Sequence, residues 1–439
     1  MPLRRRITLF PLVGALYFMV SGGPYGLEEL VQKTGFGLSI VLLLVTPLLW
    51  SLPTALMVGE LSAALPEDGG YYIWVRRALG PFWGYQGAWL SLAASVFDMA
   101  IYPTLFVLYL QRLWPAMAAP PYPIAISVAF IGACALWNMA GARAVGDGSA
   151  LMTVLLTAPF VLLALLGVLR PGLAPRAPAT APHLSLTDAS SGVLVAMWNY
   201  MGWDNVSTVA GEVARPQRTY PLAVLLATAL IATAYMIPVS AMWYAGIDPS
   251  SWETGSWVDV AREFGGAALA IAVVVGGMLS ALGMFNALCL SYSRLPVVLA
   301  EDGYLPAVCT RRFRSNDAPW VAILLCSALW TASLGLSFRR LASLDILLYG
   351  TSLVLEFIAF VALRVREPSL ARPFKVPGGL PGALLLCVGP ILLLGFALID
   401  NAHEKVGSMN ALAFGAAVVV AGPLLYTVTR WHTVLRRAR

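Results

Sequence analysis

Apolar residues run in stretches of about twenty along nearly the whole chain, the length that crosses a bilayer as a helix. Twelve segments can be drawn: 7–30, 37–62, 82–111, 122–140, 147–169, 190–212, 219–246, 265–300, 318–336, 344–364, 381–399 and 410–429. The expected fold is an all-α integral membrane protein of about twelve transmembrane helices, because hydrocarbon tolerates only backbone whose polar groups are paired within the segment.

Two of the twelve carry their own interruption. Segment 1 contains SGGPYG (21–26), where Gly22, Gly23 and Pro24 break a helix. Segment 6 contains WNYMGWDN (198–205), with Gly202, Asp204 and Asn205 near the middle of an apolar stretch. Each broken segment heads a block of five. Paired breaks at corresponding positions of two halves point to a secondary transporter with an inverted repeat, since unwound backbone survives at membrane depth only where it faces a cavity or a ligand. The expected division is a first five-helix repeat over 1–169, a Pro/Ala-rich outer linker over 170–189, and a second five-helix repeat over 190–364. Two further helices and a basic tail follow over 365–439. The stretch 247–264, with four acids and two tryptophans, reads as a short interfacial helix.

Composition agrees with this pattern. Charged residues make up 11% of the 439 and hydrophobic ones 59%, against about 25% charged in a soluble domain. With the N-terminus inside, 20 of the 28 Lys and Arg fall on the inner side. The positive-inside rule then puts both termini in the cytoplasm of a multi-pass protein of the cell inner (plasma) membrane. The net charge of +6 suits anionic inner-leaflet lipid and is no nucleic-acid signal. No cleavable signal peptide is expected, because segment 1 runs straight into its acidic end. Five cysteines without metal spacing and three histidines in loops or at an edge imply no metal and no cofactor. With no phosphate loop, HExxH or GxSxG either, an enzyme is not expected.

The candidate chemistry lies in acids at membrane depth, each expensive and so a functional candidate. Asp98 is central in segment 3, Asp204 lies in the second break, Glu356 is central in segment 10, and Glu28 follows the first break. The interiors of those segments hold no Lys or Arg. Such acids must be protonated, paired with an ion, or occupied by a cationic substrate. Tyr102 is one turn from Asp98 and shares its face, while Trp198 and Trp203 flank the second break; rings beside carboxylates suit ammonium groups. The expected substrate site comprises Gly22, Gly23, Tyr25, Glu28, Asp98, Tyr102, Trp198, Asn199, Trp203, Asp204 and Glu356. The coupling proton is expected on Glu28, Asp98, Asp204 or Glu356, with sodium left open. Glu29 reads as an outer-rim residue. Glu60, Glu212, Glu301, Asp302 and Asp345 read as capping or loop-pairing groups near water, and Arg294 as a snorkelling one.

These stretches resemble the amino acid–polyamine–organocation superfamily. ELSAALPEDGGYYIWVRRALGPFWGYQGAWLS (60–91) and AGEVARPQRTYPLAV (210–224) are similar to its two family-wide regions. SGGPYGLEEL, VFDMAIYPTLF, WNYMGWDNVSTVAGEV and LEFIAFVALR look like the plant-type polyamine uptake and LAT subgroup. The resemblance implies a LeuT-like fold of two intertwined five-helix repeats plus two helices, with a midplane site between helices 1, 3, 6, 8 and 10. It also implies proton-coupled uptake. The leading expectation is a carrier of polyamines or related organic cations. The alternatives are an amino acid permease or exchanger of the same fold and, from another class, a non-transporting sensor or partner subunit.

Overall fold

A computed structural model describes residues 7–170, 186–335, 338–400, 405–406 and 409–437. The first half comprises α1 (Leu9–Val20), α2 (Glu28–Thr46), α3 (Leu52–Ala64), α4 (Tyr71–Leu79), α5 (Pro81–Leu113), α6 (Tyr122–Met139) and α7 (Ala142–Leu169). The second comprises α8 (Leu186–Trp198), α9 (Pro216–Ala245), α10 (Ser256–Tyr292), α11 (Leu295–Glu301), α12 (Trp320–Thr331) and α13 (Phe338–Arg366). Two helices follow, α14 (Gly379–Asp400) and α15 (Ala411–Arg437). The expected linker falls mostly on residues 171–185, outside the described residues.

Among the described residues nine helices are long and apolar enough to cross a membrane, fewer than the twelve apolar segments. The physical reason lies in the breaks. Segment 1 divides into α1, of 12 residues, and the start of α2. Segment 6 divides into α8 and a 3-10 helix over Trp203–Glu212. Segment 2 joins the second part of segment 1 in one run, Glu28–Ala64, bent where Gly35 adopts φ 67°. Segment 9 forms only the 12-residue α12. The stretch 247–264 supplies the first turns of α10, which bends at Gly266 before its apolar part.

The all-α expectation needs one amendment. Lys405–Val406 and Met409–Asn410 pair as a two-stranded antiparallel hairpin between α14 and α15. Gly-Ser between them in sequence is a hairpin signal that counting apolar runs passes over. Ile7 also makes an isolated parallel bridge to Val213.

Helix starts follow local chemistry: Pro81 opens α5 and Pro216 opens α9, positions where the missing N–H costs nothing. In the bundle, α5 packs on α10, α13 and α4, while α1 packs on α7, α9 and α10. The elements around the two breaks therefore meet at the centre. α14 lies against α13 and α3, and α15 against α5 and α13. Their Leu385, Leu392 and Leu424 side chains point outward, each well over half exposed, as lipid-facing positions do.

At one end of the bundle, charges are buried in pairs rather than left near water. Glu60 is fully buried and ion-paired with Arg364 and, at 3.2 Å, Arg372, and it accepts the Val376 N–H at 2.7 Å. Arg294 does not snorkel. Its guanidinium is buried against Glu212 at 2.7 Å, because α10 turns into α11 beneath the second break.

Candidate functional site

The first break begins at Ser21, whose extended backbone ends α1. Gly23 and Gly26 continue it at φ 77° and 92°, a region L side chains avoid. The freed groups are met from α10: Ser280 donates its hydroxyl to the Gly22 carbonyl at 2.6 Å, and Trp257 Nε1 donates to the Pro24 carbonyl at 2.9 Å. The Gly23 N–H donates to Ser21 Oγ at 3.0 Å.

The second break touches the first. Gly202 has φ 96°, and a Cβ there would lie 2.2 Å from the Met19 carbonyl oxygen at the end of α1. Only glycine allows the two breaks to approach so closely. The Gly202 N–H donates to the Tyr349 hydroxyl at 3.1 Å, and that hydroxyl in turn donates to Asp204 Oδ1. Tyr235 donates to the Asn199 carbonyl at 2.7 Å.

Between the breaks lies a cavity whose walls come from five elements. Gly22 and Tyr25 contribute from the first break; Trp198, Asn199 and Gly202 contribute from the second. α5 presents Asp98, Tyr102 and Tyr109, α10 presents Ser280, Met284 and Tyr292, and α13 presents Asp345 and Tyr349. Asp98 accepts the Tyr102 hydroxyl at 2.5 Å and the Tyr292 hydroxyl at 3.2 Å. Two carboxyls and several aromatic rings thus share one buried space, and no Lys or Arg lines it among the described residues.

Of the residues expected at the site, Gly22, Tyr25, Asp98, Tyr102, Trp198 and Asn199 line this cavity, whereas Gly23, Glu28, Trp203, Asp204 and Glu356 do not. Asp204 is one hydrogen bond behind the wall, held by Tyr349. Trp203 is fully buried next to it in sequence. Glu28 heads α2 and is saturated with donors: the Gly26 N–H at 2.8 Å, the Gly255 N–H at 3.1 Å and the Tyr109 hydroxyl at 3.1 Å. It ties the first break to the turn before α10. Glu356 is buried on α13 with neither oxygen hydrogen-bonded.

Asp345 is the residue that hydropathy reading missed. Its place at the start of an apolar segment suggests a helix end near water, yet it is 3% exposed and lines the cavity with Asp98 of α5. A signal was present, since DILLY (345–349) repeats the Asp-x-x-x-Tyr spacing of DMAIY (98–102).

At the Arg112 end of α5 a separate, wider pocket is lined by Glu29, Lys33, Arg112 and Glu253. Arg112 bridges Asp259 at 3.2 Å and Glu253 at 3.3 Å. At the other end the loop after α3 grips the second break. The Gly69 N–H donates to the Thr208 carbonyl at 2.9 Å, the Tyr71 N–H to Ser207 Oγ at 3.2 Å, and the Gly211 N–H to Asp68 at 3.0 Å.

Comparison with known proteins places this geometry in context. Residues 14–421 match the family model described as Amino acid permease. Polyamine transporter RMV1 of Arabidopsis thaliana is 34% identical over 94% of this chain and 84% of its own length. Polyamine transporter PUT1 of Oryza sativa subsp. japonica is 35% identical, covering 94% of this chain and 77% of its own. The crystal structure of MhsT in complex with L-phenylalanine shares the fold with a TM-score of 0.61 at 17% identity, over 91% of this chain and 98% of that one.

Proposed function

The chain belongs to the amino acid permease family, and on that premise we propose that it takes up polyamines or related organic cations by alternating access, coupled to protons. It is a multi-pass membrane transporter and not an enzyme. The reading adds an inverted repeat of two five-helix units, twelve spans in all once broken helices are counted, in the plasma membrane with both termini cytoplasmic. The basic clusters at the Glu60–Arg364 end support that orientation.

One observation carries the substrate class: Asp98 and Asp345 line a single cavity together with tyrosine and tryptophan rings. Two acidic groups without a cation attract a ligand bearing more than one ammonium. The rings add cation–π attraction and an apolar surface for the methylene chain. The polyamine transporters among the relatives support the same class.

Amino acid permeation is the second reading. It asks the first break to hold a carboxylate through its N–H groups. The Gly23 N–H already donates to Ser21, and an anionic group would enter beside Asp98 and Asp345. Competition binding on the purified protein separates the two. Labelled spermidine is expected to be displaced by putrescine and spermidine, weakly by lysine and not by leucine. Displacement by leucine at least as effective as by putrescine contradicts the polyamine reading.

A further inference from the structure

Glu356 stands two turns beyond Tyr349 on α13 and is 1% exposed. Neither carboxyl oxygen has a hydrogen-bond partner, and among the described residues no other acid has both oxygens fully shut off from solvent and unpartnered. The titratable groups within electrostatic reach are Asp204 beside the second break, Tyr71 of α4 and Tyr349 of its own helix. None is a cation. Both hydroxyls are committed elsewhere: Tyr71 shares a 2.6 Å hydrogen bond with Ser91, and Tyr349 donates to Asp204. Arg364, two turns further along α13, is taken by Glu60.

A bare negative charge with no donor and no cation beside it is the costliest arrangement a membrane interior can hold. A proton on either oxygen removes that cost. We propose that Glu356 is the proton-binding site of the carrier, separate from the amine cavity, and that the Asp204–Tyr349 pair connects the two. The inference rests on the transport reading above and names which carboxyl carries the proton.

The separation has a mechanistic consequence. If one carboxylate bound both ligands, proton and ammonium would compete for the same oxygens, and the carrier would exchange one for the other. Glu356 lies outside the cavity that Asp98 and Asp345 line, so both sites fill in the same cycle and the two cations travel together. Tyr349 provides the link. Its ring lines the cavity, while its hydroxyl holds Asp204 and the Gly202 N–H of the second break. A change of charge at Glu356 is felt by Asp204 and is passed to the backbone that must move.

The test uses the full-length protein in liposomes with the membrane potential clamped to zero and an acidic exterior. One proton per amine gives wild type about tenfold spermidine accumulation per pH unit. In Glu356→Gln the accumulation ratio is expected to fall to one, while a thermal shift on adding spermidine reports that the variant is folded. An undiminished ratio in Glu356→Gln overturns the inference and leaves polyamine transport standing. A wild type that builds no spermidine gradient overturns the transport reading itself. If Glu356→Gln does not fold, the infrared C=O band of a buried protonated carboxyl decides, measured on wild type, Asp98→Asn, Asp204→Asn and Asp345→Asn. The band is expected in all four proteins. Its loss in any one aspartate variant assigns the proton there and overturns the proposal.

Discussion

Asp98 and Asp345 come from different halves of the chain, and each opens an Asp-x-x-x-Tyr run. The runs do different work. Tyr102 turns back to its own Asp98, whereas Tyr349 reaches across to Asp204 and leaves Asp345 facing the cavity. Asp98, already holding two tyrosine hydroxyls, is pre-oriented; Asp345 is the carboxyl with more to gain from an incoming ammonium. Asp345→Asn is therefore expected to weaken spermidine binding by about 1.5–3 kcal/mol, the worth of a charge-assisted hydrogen bond, which is roughly a tenfold to hundredfold loss in affinity. Isothermal titration checks it, and an unchanged affinity would remove Asp345 from the site. In the sequence Asp98 stands out as an acid in the middle of an apolar segment, and in the structure it is buried. Asp345 does not stand out in that way, because it lies near the start of its apolar segment, where a residue can still be turned inward by helix packing.

At the scale of elements, the breaks were legible because Gly-Gly-Pro and Gly-Trp-Asp have no place in a continuous apolar helix. What closes over them was not legible. The partners of the freed groups, Ser280 and Trp257 on α10 and Tyr349 on α13, lie more than a hundred residues from the breaks they serve, and no local pattern encodes that. The clamp between the loop after α3 and the second break is of the same kind. Asp68 lies in that loop, where burial and the neighbouring Glu212 raise its carboxyl to about 6, against the opposing pull of Arg294 and Arg312. The sign of the effect follows. The clamped state binds a proton more tightly than a state in which Asp68 meets water. The clamp therefore gains its full extra stability below the ordinary aspartate value near 3.8 and loses it as pH rises through about 6. If the clamp is the inner gate, acidifying the interior from pH 7 to 5.5 slows release of substrate to that side. Asp68→Asn, which keeps an oxygen for the Gly211 N–H, is expected to flatten this pH profile in efflux from preloaded liposomes. A profile as steep as that of wild type would place the pH sensitivity elsewhere.

For the whole molecule, the two ends of the bundle are closed by different chemistry around one acidic, aromatic cavity. One end uses buried ion pairs, Arg294 with Glu212 and Arg364 with Glu60. These are costly to break one partner at a time. The other end uses Glu28, with its three donors, and half-exposed bridges from Arg112. A carrier needs both closures to be reversible and never open together, and the two broken helices run between them. The direct measurement of the central claim is uptake of radiolabelled spermidine, putrescine and leucine by the purified protein in liposomes with an inward proton gradient. Saturable uptake of both amines is expected, abolished when the gradient is dissipated, with leucine near the empty-liposome background. Robust leucine uptake with neither amine entering would contradict it.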